Sequence, residues 1–196
     1  MTQADPNQTR AVYEAQAAAY DAQRSRSLFE ARWLARFAAC LPEGGRVLDL
    51  GCGAGEPIAR WFMAEGFTLT GVDFAGAMLD IARQRWPEGD WRQADMRSLD
   101  LGERFDGIIA WDSFFHLTEA EQRETLRRMA AHLAPGGSLL FTAGPEAGEA
   151  AALTQPPFPH RPPSSALKGF QVIRSGGTAR GCCGGHMPLF QVQKVH

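Results

Sequence analysis

Apolar positions along the chain fall into two rhythms, short runs of strand length and longer stretches of helical period, punctuated by glycine and proline. Val47, Leu48 and Leu50 form a run of the kind expected for a strand buried on both faces of a parallel sheet, with Asp49 interrupting it near the carboxyl end. Phe67 to Val72, Trp91 to Ala94, Phe105 to Trp111 and Ser138 to Thr142 repeat the pattern. Helices are predicted between them. One runs from Ile58 to Glu65 and is stopped by Gly66, a second covers Ala75 to Arg85, and a third runs to Leu133 from the capping box Thr118-Glu-Ala-Glu121. This alternation of about five strands with helices predicts an α/β fold with a doubly wound, mainly parallel sheet.

Two helices precede the first strand. Asp5 is placed to cap and Pro6 to open the first, whose run from Thr9 to Arg24 carries both tyrosines, Tyr13 and Tyr20. In the second, Leu28 to Cys40, residues Leu28, Trp33, Leu34, Phe37 and Leu41 share one face, and Pro42 to Gly45 end it.

The pattern changes near residue 145. Pro145 to Lys168 holds six of the twelve prolines, and no helical period survives them, so a loop or linker is expected there. Phe170 to Ile173 and Leu189 to Val192 are candidates for two last strands, joined by the glycine-rich stretch 175–185. Charge changes at the same place. Through Glu149 there are 22 acidic and 15 basic residues, whereas beyond it Arg161, Lys168, Arg174, Arg180 and Lys194 face no acidic residue. A changed reading frame over part of this segment and a basic lid that attracts an anionic substrate both account for the shift.

The length of 196 residues suits a single domain, with a helical cap at 1–45, a ligand-binding core at 46–144 and a divergent tail at 145–196. With 44% hydrophobic and 21% charged residues and a net charge of -2, the chain is not expected to bind nucleic acid generally. No apolar stretch reaches the length of a membrane span, and MTQADPNQTR lacks the features of a signal peptide, so a cytoplasmic location is expected. Cys40, Cys52, Cys182 and Cys183 are too few and too irregular for a disulfide framework. Cys182, Cys183 and His186 fall short of the four ligands of a closed zinc site, so no metal is expected.

The chemistry concentrates in Arg46 to Gly55, RVLDLGCGAG. Asp49 stands near the carboxyl end of its strand, where open α/β sheets bind ligands, and Gly51, Gly53 and Gly55 let the backbone turn sharply and approach a ligand. A nicotinamide-type G-x-G-x-x-G would put glycine where this chain has Glu56, whose carboxylate a pyrophosphate would not welcome. Asp73 follows Gly51 by 22 residues, near the spacing at which nucleotide-binding folds set a carboxylate against ribose hydroxyls.

The phrase Asp49-Leu-Gly51-Cys-Gly53-Ala-Gly55 resembles the first motif, acidic-x-G-x-G-x-G, of class I methyltransferases that use S-adenosylmethionine, and LAPGGSLLF is also frequent among them. The resemblance covers roughly residues 10–144. It implies a Rossmann-like methyltransferase fold with a seven-stranded type of sheet, shortened or divergent at its C-terminal part. In such a fold the turn Gly51, Cys52, Gly53 and Gly55 holds the methionine end of the cofactor and Asp49 helps order it. Asp73, with Phe74 beside it, takes the ribose. Asp95 receives the adenine amine, and Met78 and Met96 are the candidate apolar walls. Trp111, Asp112 and His116 lie nearest the methyl group, and Tyr20, in the pair Tyr20-Asp21, touches cofactor or substrate.

Each of these positions also has a structural use: Tyr20 and the methionines as packing, His116 as a brace for the following helix. If the acceptor must lose a proton, His116 is the candidate catalytic general base. The activity implied is in-line transfer of a methyl group to a small-molecule acceptor. A cofactor-binding protein or scaffold without turnover, and a nicotinamide-dependent oxidoreductase, are the alternatives. Gln155-Pro-Pro-Phe158 is similar to the Pro-Pro-aromatic motif of base-modifying methyltransferases, but it carries Gln where Asn, Asp or Ser is usual and follows the fifth strand instead of the fourth. The acceptor atom and the oligomeric state are left open.

Overall fold

Residues 6–114, 117–142, 170–174 and 193–195 are described by a computed structural model. The strands are β1 (Arg46–Leu50), β2 (Thr68–Asp73), β3 (Asp90–Gln93), β4 (Phe105–Ala110), β5 (Leu133–Thr142), β6 (Phe170–Arg174) and β7 (Gln193–Val195). The helices are α1 (Pro6–Gln23), α2 (Ala31–Ala38), α3 (Ile58–Ala64), α4 (Gly76–Arg85) and α5 (Glu119–Ala131), with one 3₁₀ turn at Met96–Ser98.

The described strands make one sheet in the order β3-β2-β1-β4-β5-β6-β7. Its first five members are parallel, and β6 and β7 are each antiparallel to the strand before. The doubly wound, mainly parallel sheet expected from the alternation of patterns is therefore present.

Period-two alternation divides the core between the two sheet faces. Val47, Leu69, Ile109 and Leu140 join Leu34 and Phe37 of α2 and Ile58, Ala59 and Phe62 of α3 on one face. Leu48, Leu50, Val72, Ile108 and Phe141 join Met129 of α5 on the other. Leu34, Phe37 and Phe62 are essentially inaccessible to water, so the expected apolar face of the second helix is the one that packs.

Several boundaries differ from expectation. Strand β3 starts and ends one residue earlier. Strand β5 begins at Leu133 instead of Ser138 because Pro135 to Gly137, expected to be a simple turn, lie within it, and the β4–β5 register shifts between Phe105 and Gly107. Helix α5 stops at Ala131, and α2 spans only eight residues. The capping box is formed, with Thr118 accepting from the Glu121 N–H at 3.2 Å and Glu121 accepting from the Thr118 N–H at 2.8 Å. Strand β6 lies at Phe170 as expected, and β7 starts at Gln193. The residues given to the last strand, 189–192, lie outside the described residues, as do Asp5, the stretch 145–168, Gln155 to Phe158 and Cys182, Cys183 and His186.

Because five strands run parallel, their carboxyl ends open on one edge of the sheet. The loops after β1, β2, β3 and β4 meet there, and α1 packs beside them through Ala17, Tyr13 and Tyr20 against Ala75 and Met78.

Candidate functional site

The turn after β1 is the floor of the site. Gly51, Gly53 and Gly55 have φ of +81°, +55° and +80°, conformations that L side chains rarely adopt. The N–H groups of Gly51 and Cys52 donate to the Val72 carbonyl at 2.7 and 3.1 Å, which anchors the turn on β2. A Cβ on Gly51 would overlap Ser113, whose hydroxyl donates to the Leu50 carbonyl at 2.7 Å, so the loop after β4 closes over the glycine backbone. Asp73 completes the floor. Its Oδ2 accepts from the Gly53 N–H and its Oδ1 from the Ala75 N–H, both at 2.9 Å, tying the glycine turn to the start of α4. Burial pushes its carboxyl above the usual carboxylate range, against the pull of the Ala75, Gly53 and Phe74 N–H groups.

A cleft opens above this floor, lined on its apolar side by Tyr13, Tyr20, Phe74, Met78, Met96 and Trp111. Tyr13 stands edge-on to Tyr20 and Phe74, with ring centroids 5.4 and 5.9 Å apart. Burial raises the Tyr13 hydroxyl above its ordinary range, so it stays protonated at neutral pH. Gly51, Cys52, Gly53, Asp73, Asp95 and Asp112 complete the set of sequence candidates that line the cleft.

Two candidates do not line it. Asp49 is 3% exposed beneath the floor, and burial pushes its carboxyl up to about 7, with Arg24 pulling it down and Asp73 pushing it further up. Gly55 faces the other way. A Cβ there would stand 2.8 Å from the Trp91 ring and 3.0 Å from Trp86, so this glycine gives the tryptophans room. Cys52 has a small buried side chain, and burial, with Asp49 and Asp73 nearby, raises its thiol far above the ordinary range.

Two carboxylates of the cleft are met by guanidinium groups. Glu56 lies against Arg26 at 2.9 Å, Arg85 at 3.3 Å and Arg60 at 3.5 Å. The Glu56 carboxylate of the pyrophosphate argument is therefore part of an ion-pair cluster with three guanidinium groups. Asp95 is engaged by Arg97, and although burial raises its carboxyl, the Arg97 bonds outweigh that and hold it below the usual range. Asp112 has φ of +52°, an uncommon backbone state outside glycine, and its N–H donates to Thr142 Oγ1 at 2.9 Å. Phe115 and His116, in the same loop, lie outside the described residues.

Sequence reasoning missed Tyr13, Arg24, Arg97 and Glu14. Tyr13 was detectable, since Tyr13, Ala17 and Tyr20 recur at helical spacing on one face of α1. Arg24, just past α1, donates to the Tyr20 hydroxyl at 2.8 Å, and its Nε is buried without a hydrogen-bond partner among the described residues. Glu14 reaches from α1 to the N-terminus of α4, where its carboxylate accepts from Gly76 N–H at 2.7 Å and Ala77 N–H at 3.0 Å. Asp21, expected beside Tyr20 at the cofactor, instead takes a two-pronged contact from Arg85 at 2.8 and 2.6 Å. Among the described residues no group of three or more His, Cys, Asp or Glu is placed to hold a metal, and no helix is long and apolar enough to cross a membrane.

Residues 47–137 match the Methyltransferase domain family. The chain is 40% identical over 99 residues to dTDP-4-amino-2,3,4,6-tetradeoxy-D-glucose N,N-dimethyltransferase of Saccharopolyspora spinosa, covering 50% of this chain and 39% of that protein. It is 36% identical over 99 residues to dTDP-3-amino-3,6-dideoxy-alpha-D-glucopyranose N,N-dimethyltransferase of Streptomyces fradiae, covering 49% and 38%. Among solved structures it is similar to S-adenosylmethionine-bound CalS10, an amino pentose methyltransferase of Micromonospora echinaspora, with 30% identity, a TM-score of 0.56 and coverage of 85% of this chain and 70% of that one. The chain spans 39% and 38% of the length of those two dimethyltransferases.

Proposed function

This chain belongs to the class I S-adenosylmethionine-dependent methyltransferases, and from that premise we propose that its cleft binds S-adenosylmethionine and that the protein moves the methyl group to an amino nitrogen of a small molecule, an amino sugar being the favoured class. The observation that carries the reading is Asp73. It sits at the carboxyl end of β2, fixed by two backbone N–H groups, with acceptor capacity left for the two adjacent hydroxyls of a ribose. The rest of the cleft has the matching donor set. The buried Nε of Arg24 has no hydrogen-bond partner among the described residues and suits the carboxylate at the methionine end, while Asp95 suits an adenine amine. Gly53 also lines the cleft, and a Cβ there would come within 3.2 Å of the Met78 side chain.

When bound, the cofactor supplies an activated methyl group on a sulfonium. The chain's own part is positioning and exclusion of water. Tyr13, Tyr20, Phe74 and Trp111 form the apolar wall that excludes water from the reacting centre. Asp112, which lines the cleft in the loop after β4, is our candidate for holding an amine acceptor, in keeping with relatives named as amino-sugar N,N-dimethyltransferases. His116 precedes Leu117, which lines the cleft, and is our candidate for removing the amine proton. Tyr13, kept protonated by burial, does not serve as that base. A cytoplasmic location is part of the proposal; Cys40 and Cys52, in no disulfide among the described residues, suit a reducing compartment. The division into cap, core and tail belongs to it too.

The test is calorimetric titration with S-adenosylmethionine and, separately, a reduced nicotinamide dinucleotide. Micromolar binding of the first alone is expected, with Asp73→Ala weakening it by about 10- to 100-fold through loss of charge-assisted hydrogen bonds. A folded sample that binds neither sinks the proposal and leaves the glycine turn a structural feature. Screening amino sugars with the bound protein then tests the acceptor class.

A further inference from the structure

The inference concerns Arg97 and rests on the proposed cofactor site. Asp95 lines the cleft at the end of β3, but its carboxylate is largely occupied. The Arg97 backbone N–H donates to Oδ1 at 2.9 Å, its Nε lies 3.0 and 2.9 Å from the two oxygens, and a terminal nitrogen donates to Oδ2 at 2.5 Å. A carboxylate has about four acceptor positions, so three donors leave roughly one. The guanidinium is itself anchored. Its other terminal nitrogen lies 3.3 Å from Glu121, and the second Glu121 oxygen is engaged by the Thr118 N–H in the capping box of α5. A continuous set of bonds thus runs from the cleft to the start of α5.

We propose that Arg97 is a positioning residue that makes Asp95 selective for an exocyclic amine, so that the site takes adenine and rejects a base with a carbonyl oxygen in that place. A fixed, ionised carboxylate with one open position accepts one N–H and donates nothing, so a carbonyl there meets only lone pairs. Removing Arg97 frees Asp95 to rotate and leaves burial to drive it toward its protonated form, which donates as well as accepts. The preference then weakens although Asp95 is still present.

The experiment measures binding of S-adenosylhomocysteine and its deaminated counterpart, S-inosylhomocysteine, to the full chain, wild type and Arg97→Gln. The wild type is expected to prefer the adenine ligand by about 30-fold or more, and Arg97→Gln to cut that preference about tenfold, with affinity for the inosine ligand changing by less than about threefold. Arg97→Lys keeps the charge but lacks the planar fork, and it too loses most of the preference; it decides the matter if melting shows Arg97→Gln unfolded. A preference that survives in the folded variants, or an equal loss for both ligands, overturns the inference. A wild type that binds neither ligand overturns the proposed cofactor site and this inference with it.

Discussion

Replacing Glu14 should loosen the helix that borders the cleft, and its size can be worked from two hydrogen bonds. The Glu14 carboxylate accepts from the Gly76 and Ala77 N–H groups at 2.7 and 3.0 Å, so a residue of α1 caps α4 across 62 positions of sequence. Charge-assisted bonds contribute about 1.5–3 kcal/mol each in protected sites. Here the side chain is 35% exposed, and the comparable loss of a local N-cap costs about 0.5–2 kcal/mol, so Glu14→Ala is expected to cost about 1–2 kcal/mol after allowing for solvent screening. Glu14→Gln keeps an acceptor oxygen without the charge and should lose about half of that.

The pH dependence gives an independent check. The Ala77 N–H, then the Gly76 N–H, lower the Glu14 carboxyl below its ordinary value of 4.5, against burial. A depressed acid contributes stability that is present above the unfolded value and disappears as pH falls through the lower folded one. Urea unfolding of wild type and Glu14→Ala should therefore differ at pH 7 and converge well below pH 4.5. Amide exchange at Gly76 and Ala77 should also quicken in the variant while the β1 amides stay protected. An equal difference at both pH values, or unchanged exchange at those two amides, refutes the reasoning.

Three other outcomes are expected. Asp49→Asn should flatten the stability profile. Its buried carboxyl is raised from 3.8 to about 7, so the wild type loses stability, on the order of a few kcal/mol, as pH rises through that window, and by pH 8 the variant should be at least as stable; a constant difference in urea unfolding from pH 4 to 8 contradicts this. Gly51→Ala must place a side chain at φ of +81° against Ser113 and should lower the melting temperature by about 10 °C, through a cost of about 3 kcal/mol; a shift under about 2 °C would show that the turn can rearrange. Alkylation at pH 8 with peptide mapping should leave Cys52 unmodified in the folded protein while the partly exposed Cys40 reacts, and early labelling of Cys52 would count against its buried, protonated state.

The parallel core was legible because its chemistry is local. A strand covered on both faces shows as a run such as Val47 to Leu50, and three glycines with a carboxylate 22 residues beyond the first mark a ligand turn without reference to the rest of the fold. What escaped depends on how helices dock. Glu14 and Arg24 are ordinary surface-type residues until α1 lies against α4, and no periodicity in α1 encodes which charged residue meets the free N–H groups of another helix. Arg97 was hidden for a different reason. Its partner is two residues away, but its importance comes from Glu121, 24 residues on, which the capping box already accounted for by itself. Strand β5 was shortened in expectation because Pro-Gly-Gly is turn chemistry, and only the shift against β4 carries those residues into the sheet.

The distribution of charge explains why so many ionised groups can surround a largely apolar cleft. Glu56 is met by Arg26, Arg60 and Arg85, Asp95 by Arg97, and Asp112 lies in the field of Arg24, so most of the wall is electrically neutral at short range. Asp73 is different, being held by backbone N–H groups, and Asp49 beneath it is half-titrated near neutrality. Any excess of negative potential is therefore concentrated on the floor, under the glycine turn, and not spread over the rim. A ligand that carries a sulfonium cation beside a ribose would meet that excess, and one that has given up its methyl group, and with it the positive charge, would meet less attraction from the same carboxylates. On the proposed reading, such a floor would favour the charged cofactor over its neutral-sulfur product. The same arrangement ties α1 to α3 and α4 through Asp21, Arg85, Arg26 and Glu56, so the helix bordering the cleft is held by ion pairs behind the wall and by Glu14 at its other end.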